Sequence, residues 1–351
     1  MSTLFSLGAM VLTVCMSSAL AQVDAARTRV TCVLAEPHGW IECAAGGVFR
    51  VQPASDGPDG DPHCERIAID GRMFVGARRA AGYLFGGGLP GKRGRVVSVD
   101  RAGRTVASID IARDVVLAIA VHATTFAIAC ADGSVHVGSI DASGVPRIDR
   151  ELAGHRGGAY AVAFDASGST LVSGGKDGLV RVYDITGLHV GDPSDTRSSR
   201  VRCLELDSHT SPVLQVSFLP ALDGTRTTEI ASSSQDGAVR VHSKTGRLLR
   251  SWLGLARDVR GLASWRGDLV LAAGDGRITV LDRDSEQVRT LGQPGAALLS
   301  LTIVVGADGT ERALCASRAG VRRFVLAPSE SNDTPRQKRE DSGRESPETR
   351  R

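Results

Sequence analysis

Aromatic side chains are scarce in this 351-residue sequence, at 4%, with three Trp and three Tyr. Paired cysteines are missing too. The seven cysteines stand singly at Cys15, Cys32, Cys43, Cys64, Cys130, Cys203 and Cys315. No Cys-x-x-Cys or Cys/His cluster has metal-ligand spacing, so no metal is expected. Several cysteines lie within short apolar runs such as Ala127–Ala131, where a free thiol packs as a small hydrophobe and suits a reducing, cytoplasmic compartment. No apolar run is long enough to span a bilayer, since Leu4–Leu20 is interrupted by Thr13, Ser17 and Ser18. A basic stripe is also lacking. The 42 Lys and Arg are interspersed with 39 Asp and Glu for a net charge of +3, which argues against a specific nucleic-acid partner. No set of acid, base and nucleophile recurs on matching loops, so no catalytic residue and no cofactor is assigned.

What the sequence has in quantity is glycine, 41 residues, arranged with short alternating apolar runs in a repeat. The clearest unit runs from Glu151 to Asp184. Leu152-Ala153-Gly154-His155 leads into a strand pattern at Ala159–Phe164, then a turn at Asp165–Gly168. A second strand pattern follows at Thr170–Gly175, a tight turn at Lys176-Asp177-Gly178, and a third strand pattern at Leu179–Asp184. The order returns with His209, Val213–Phe218, Ile230–Ser234, Gln235-Asp236-Gly237 and Val239–His242. Fainter units lie at Val30–Val51, Arg72–Val99, Val115–Val137, Val259–Asp282 and Leu298–Val325. Seven units of this period, about 40 to 45 residues with four short strands each, predict an all-β chain folded as one seven-bladed β-propeller over residues 29–326.

The Glu151–Asp184 unit resembles a WD repeat, with Gly154-His155 at the GH position and Tyr183-Asp184 where the family has Trp-Asp. The resemblance implies a buried network in which Asp177 accepts from His155, which in turn contacts Ser173 and the Tyr183 side chain. His209, Ser232 and Asp236 hold the same positions in the next unit, where His242 replaces the aromatic residue. It also implies a partner-binding rim formed by the start of each innermost strand and the residue before each Asp-Gly turn. Carried over, that rim consists chiefly of Tyr160, Lys176, Leu214, Gln235, Arg260, Arg318 and Arg72, with Gly158, Pro212, Asp258, Leu299, Leu117 and Ala131 beside them. Its mixture of Arg and Lys with Tyr and Leu suits a peptide or protein of acidic character.

The function expected is a non-enzymatic protein–protein interaction scaffold, as part of a complex. Two other readings stay open. A secreted propeller enzyme is one, because Ala19-Leu20-Ala21 before Gln22 reads as a cleavage site, although no Lys or Arg precedes the apolar run. The other is a small-GTPase exchange factor, because Gly86–Gly94 looks like the glycine-rich loop of Sec12-type propellers; as a plain feature it reads as a flexible hairpin extension interrupting a blade. Residues 1–28 are expected to supply either a signal-like leader over 1–21 or, around Cys15–Gln22, the strand that closes the seventh blade. Gly187–Arg200 reads as a polar loop, and residues 327–351, rich in Ser, Pro and charge, as a disordered tail.

Overall fold

The computed structural model describes residues 29–52, 62–186, 188, 201–207, 209–220, 228–284, 286–305 and 309–326. The proposed closing strand, the leader, the C-terminal tail and all of the Gly187–Arg200 loop except Leu188 lie outside these residues. Within them the chain is all β, in seven antiparallel sheets arranged as the blades of a propeller.

Blade 1 is β1 (Cys32–Glu36), β2 (Gly39–Ala44), β3 (Gly47–Gln52) and β4 (His63–Ile67). Blade 2 is β5 (Met73–Arg79), β6 (Gly82–Leu89), β7 (Arg93–Asp100) and β8 (Thr105–Asp110). Blade 3 is β9 (Val116–His122), β10 (Thr125–Cys130), β11 (Val135–Ile140) and β12 (Pro146–Leu152). Blade 4 is β13 (Ala159–Phe164), β14 (Thr170–Gly175), β15 (Leu179–Asp184) and β16 (Arg202–Asp207). Blade 5 is β17 (Val213–Pro220), β18 (Thr228–Ser234), β19 (Val239–Ser243) and β20 (Leu248–Trp252). Blade 6 is β21 (Gly261–Trp265), β22 (Asp268–Ala272), β23 (Ile278–Leu281) and β24 (Val288–Leu291). Blade 7 has three strands among the described residues, β25 (Leu298–Val305), β26 (Glu311–Ser317) and β27 (Gly320–Val325).

The first strand of each blade is innermost. Each of these strands touches the next, from β1 through β5, β9, β13, β17 and β21 to β25, and β25 touches β1. The core is distributed rather than central, in apolar clusters that each join two neighbouring blades. One cluster packs Ala127, Val135 and Leu152 of blade 3 on Val162, Leu171 and Tyr183 of blade 4. The cluster that closes the ring packs Leu314 and Ala316 of blade 7 on Val33, Trp40, Phe49 and Val51 of blade 1. There the Arg323 guanidinium lies 4.7 Å over the Trp40 ring, and Arg29 N donates to Arg318 O at 3.0 Å. Apolar packing of blade 7 on blade 1 therefore joins the two ends of the described chain.

Turn chemistry sets the hairpins. The second-to-third strand turns of blades 3, 4, 5 and 6 contain Asp-Gly, with Gly133, Gly178, Gly237 and Gly276 at φ between 78° and 94°, where a Cβ is unfavourable. The Asp side chain caps the turn by accepting the N–H two residues on, as Asp236 Oδ1 does from Ala238 N at 2.8 Å.

The glycine run of blade 2 departs from its reading as a loop. Gly86, Gly87 and Gly88 are buried residues of β6, paired with Val96, Arg95 and Gly94 of β7, and the turn is confined to Pro90–Lys92. Glycine is required there by close approach. A Cβ on Gly87 would stand 1.9 Å from Arg72 O, and one on Gly86 would stand 2.6 Å from Val116 Cγ1. Gly87→Ala is expected to destabilise the protein by about 2 kcal/mol or more, because the backbone of β5 must move. Urea unfolding measures this, and an unchanged midpoint would contradict it.

Candidate functional site

In blade 4 the WD-type residues form a buried chain of polar contacts. His155, at the entrance to β13, places Nδ1 2.8 Å from Asp177 Oδ1 and Nε2 2.7 Å from Ser173 Oγ. Ser173 Oγ is 3.0 Å from the Tyr183 hydroxyl, which donates to Ala153 O at 2.6 Å. Tyr183 thus meets His155 through Ser173 rather than directly. Arg181 joins the group, with Nη1 2.9 Å from Asp177 Oδ2 and 2.7 Å from His155 Nδ1. Burial pushes the Asp177 pKa up, but hydrogen bonds from Arg181, His155 and Arg156 N outweigh it and hold the carboxyl at about 2. Burial also lowers the His155 pKa against the pull of Asp177, which keeps the ring neutral near pH 7.

Blade 5 carries a looser copy. His209 Nδ1 is 3.3 Å from Asp236 Oδ2 and Nε2 is 2.9 Å from Ser232 Oγ, with Arg240 Nη1 2.6 Å from Nδ1. His242 occupies the position of Tyr183 and leaves its buried Nδ1 without a protein partner. Burial, then the charges of His209 and Arg240, lower its pKa to about 4. The lowered histidines His136, His155, His209 and His242 are all buried within blades. Their shifts follow from packing.

These networks hold the turns that make one end of the ring. The connections that follow blades 3, 4, 5 and 6 bond to the turn of the blade before them, as His155 N does to Gly133 O at 2.9 Å and Leu255 N to Gly237 O at 3.1 Å. Strand starts and turns also bond directly, Lys176 N to Gly158 O at 2.8 Å and Gln235 N to Pro212 O at 3.0 Å. Lys176 and Gln235 are exposed, and Leu214 is half-buried. Tyr160, also half-buried, lies against Gly158, where a Cβ would stand 2.6 Å from its ring. Arg260 points toward Asp258 at 3.9 Å.

Arg72 and Arg318 are brought together. With Arg29 they line a hollow of about 250 Å³ where blades 7, 1 and 2 meet, walled also by Met73, Phe74 and Leu299. All three arginines are exposed, and among the described residues no carboxylate lies within ion-pair distance of them. Arg72 stands 5.7 Å over the Phe74 ring.

The profile of the family described as "WD domain, G-beta repeat" matches residues 147–184, which span β12 to β15. The chain is also similar to the solved structure titled "Crystal structure of WD40 beta propeller domain of Doa1". The TM-score is 0.67 at 13% identity, over 87% of this chain and 94% of that one. A chain of "Crystal Structure of Mitotic Checkpoint Complex" is similar at a TM-score of 0.66 and 14% identity, over 86% and 91%. This chain folds as a seven-bladed β-propeller, and its residues 147–184 match a WD repeat.

Two features of this propeller escaped sequence reasoning. Arg29 was missed because it precedes the first strand, at φ 56°, and meets blade 7 only in the closed ring. Arg181 and Arg240 were missed as network members, although both sit in a Val-Arg-Val run after the Asp-Gly turn.

The networks make stability pH-dependent. A histidine with a depressed folded pKa leaves the unfolded chain binding more protons, so its stabilising contribution is complete above about pH 6.5. That contribution is lost as pH falls toward the folded value, about 4 for His242. Asp177, depressed to about 2, adds a loss that begins only below about pH 4. Unfolding free energy is expected to fall between pH 7 and pH 4.5. His242→Tyr is expected to recover about 1 kcal/mol or more of that fall; an identical pH profile in the variant would contradict the assignment.

Proposed function

We propose that this propeller is a non-enzymatic interaction module whose turn-bearing face binds a protein or peptide, seating an acidic group among Arg29, Arg72 and Arg318. The observation that carries the reading is the convergence of three exposed guanidiniums on one hollow, none of them within ion-pair distance of a carboxylate among the described residues. An arginine fork matches a carboxylate or phosphate with two parallel hydrogen bonds, which are stronger than neutral ones. Met73, Phe74 and Leu299 give the hollow apolar walls, so a partner gains both burial and charge pairing there. Tyr160 and Lys176 on the same face extend the contact surface, and arginine and tyrosine are the residue types that dominate interface energetics.

The WD-repeat propeller fold is commonly used as a protein-interaction scaffold, which supports reading this chain as a component of a complex. Its buried free thiols go with a cytoplasmic, reducing setting. Burial pushes Cys130 and Cys315 up to about 12, so neither is a nucleophile near pH 7.

Native capture of partners by the wild-type chain and by the Arg72→Glu, Arg318→Glu variant tests the proposal. The variant is expected to lose the specific partner at least about tenfold, and wild-type binding is expected to weaken with salt. Because both side chains are exposed, the thermal midpoint is expected to stay unchanged. Undiminished capture by a folded variant would overturn the reading.

A further inference from the structure

Two cysteines that stand singly in the sequence are brought face to face in blade 1. Cys32 of β1 and Cys43 of β2 are directly opposed partners of an antiparallel pair. Opposed residues project from the same face of a sheet, with Cα atoms about 4.5 to 5.5 Å apart. That separation lies within the roughly 4.4 to 6.8 Å that a disulfide spans. Among the described residues no other two cysteines are opposed. Cys64, Cys130, Cys203 and Cys315 face Val51, Val116, Tyr183 and Leu301 instead.

The surroundings hold this pair in place. Both residues are buried in the apolar cluster that joins blade 1 to blade 2, among Ile41, Val48, Met73 and Phe85. Cys32 Sγ lies 4.0 Å from Gly76 O of β5, and Thr31 N donates to Cys43 O at 2.8 Å. The two thiols also touch: the hydrogen bond between them lowers the pKa of Cys32 and raises that of Cys43. One sulfur is thereby eased toward the nucleophilic thiolate, and a second waits beside it. The pair lies beneath the arginine hollow. Thr31 and Ala44, the chain neighbours of Cys32 and Cys43, line that hollow, and Met73 belongs to both the hollow and the cluster.

We propose that Cys32 and Cys43 are a redox pair that closes to a cross-strand disulfide when hydrogen peroxide oxidises the protein. The Cys32 thiolate attacks one peroxide oxygen. The O–O bond breaks, leaving a sulfenic acid and a hydroxide that takes up the thiol proton as water. The Cys43 sulfur then attacks the Cys32 sulfur. The S–S bond forms as the S–O bond breaks, and the departing hydroxide leaves with the Cys43 proton as a second water. Each sulfur loses one electron, and the peroxide gains both. The link fastens the segment that carries Arg29 and Thr31 to the Ala44–Ala45 wall of the hollow. Under the docking reading this makes the partner site redox-responsive; the chemistry of the pair does not depend on what docks there.

Both cysteines fall in one tryptic peptide, Val30–Arg50, which makes the test direct. The native full chain is treated with hydrogen peroxide until exposed Cys203 is oxidised, unfolded in an alkylating agent, digested and weighed. The Val30–Arg50 peptide is expected to be two hydrogens lighter and to carry no alkyl group. Reduction with dithiothreitol is expected to restore both alkylation sites. The Cys130 and Cys315 peptides are expected to stay alkylated, since each thiol is buried with no opposed cysteine. In Cys32→Ser, Cys43 is expected to stay alkylated as well; if that variant does not fold, the wild-type result decides alone. Two alkyl groups on Val30–Arg50 of the treated wild type, or a sulfinic acid at Cys32 beside an alkylated Cys43, would overturn the inference.

Discussion

Burial of each blade against two neighbours is the constraint on which this molecule depends. A sheet covered on both faces needs apolar residues on both, and the blades supply them with Val, Ile, Leu and Ala more than with rings. Narrow spacing follows from that choice. A Cβ on Gly174 would stand 2.5 Å from Val213 Cγ1, and one on Gly261 would stand 2.6 Å from Leu301 Cβ. Glycine at these inner-strand positions lets neighbouring blades approach without displacing aliphatic side chains. The abundance of glycine and the scarcity of aromatics are therefore two aspects of one packing solution.

Ring closure converts that packing into a surface. Blade 7 meets blade 1 through Leu314, Ala316, Trp40 and Phe49, and the same junction brings Arg318 beside Arg29 and Arg72. These three residues are far apart in the chain and belong to no common turn. The buried Asp–His–Ser chains of blades 4 and 5 work differently, by fixing the Asp-Gly turns on the face that carries Lys176 and Gln235. Packing and polar networks thus build different sectors of one face.

The inner three strands of each blade were legible in the sequence because buried strands alternate strongly and, in blades 3 to 6, Asp-Gly turns separate the second from the third. Outer strands were harder. Arg202–Asp207 and Val288–Leu291 have one neighbouring strand and a largely exposed surface, so their side chains need not be apolar. Gly86–Gly88 was misread because glycine signals a turn locally, whereas here the demand comes from the backbone of Arg72 across the sheet. Arg72 and Arg318 were accessible through their positions relative to strand starts and turns. Arg29 required the packed ring, because its contact with Arg318 of blade 7 forms only on closure and no local pattern records it.

The proposed point of partner contact is the arginine hollow at the junction of blades 7, 1 and 2. Hydrogen–deuterium exchange of the free chain and of the chain saturated with its captured partner tests this most directly. The account predicts slowed exchange on binding at Arg29–Thr31, Arg72–Phe74 and the Arg318 turn together. Protection confined to the opposite end of the ring or to the outer strands, with these three segments unchanged, would contradict it.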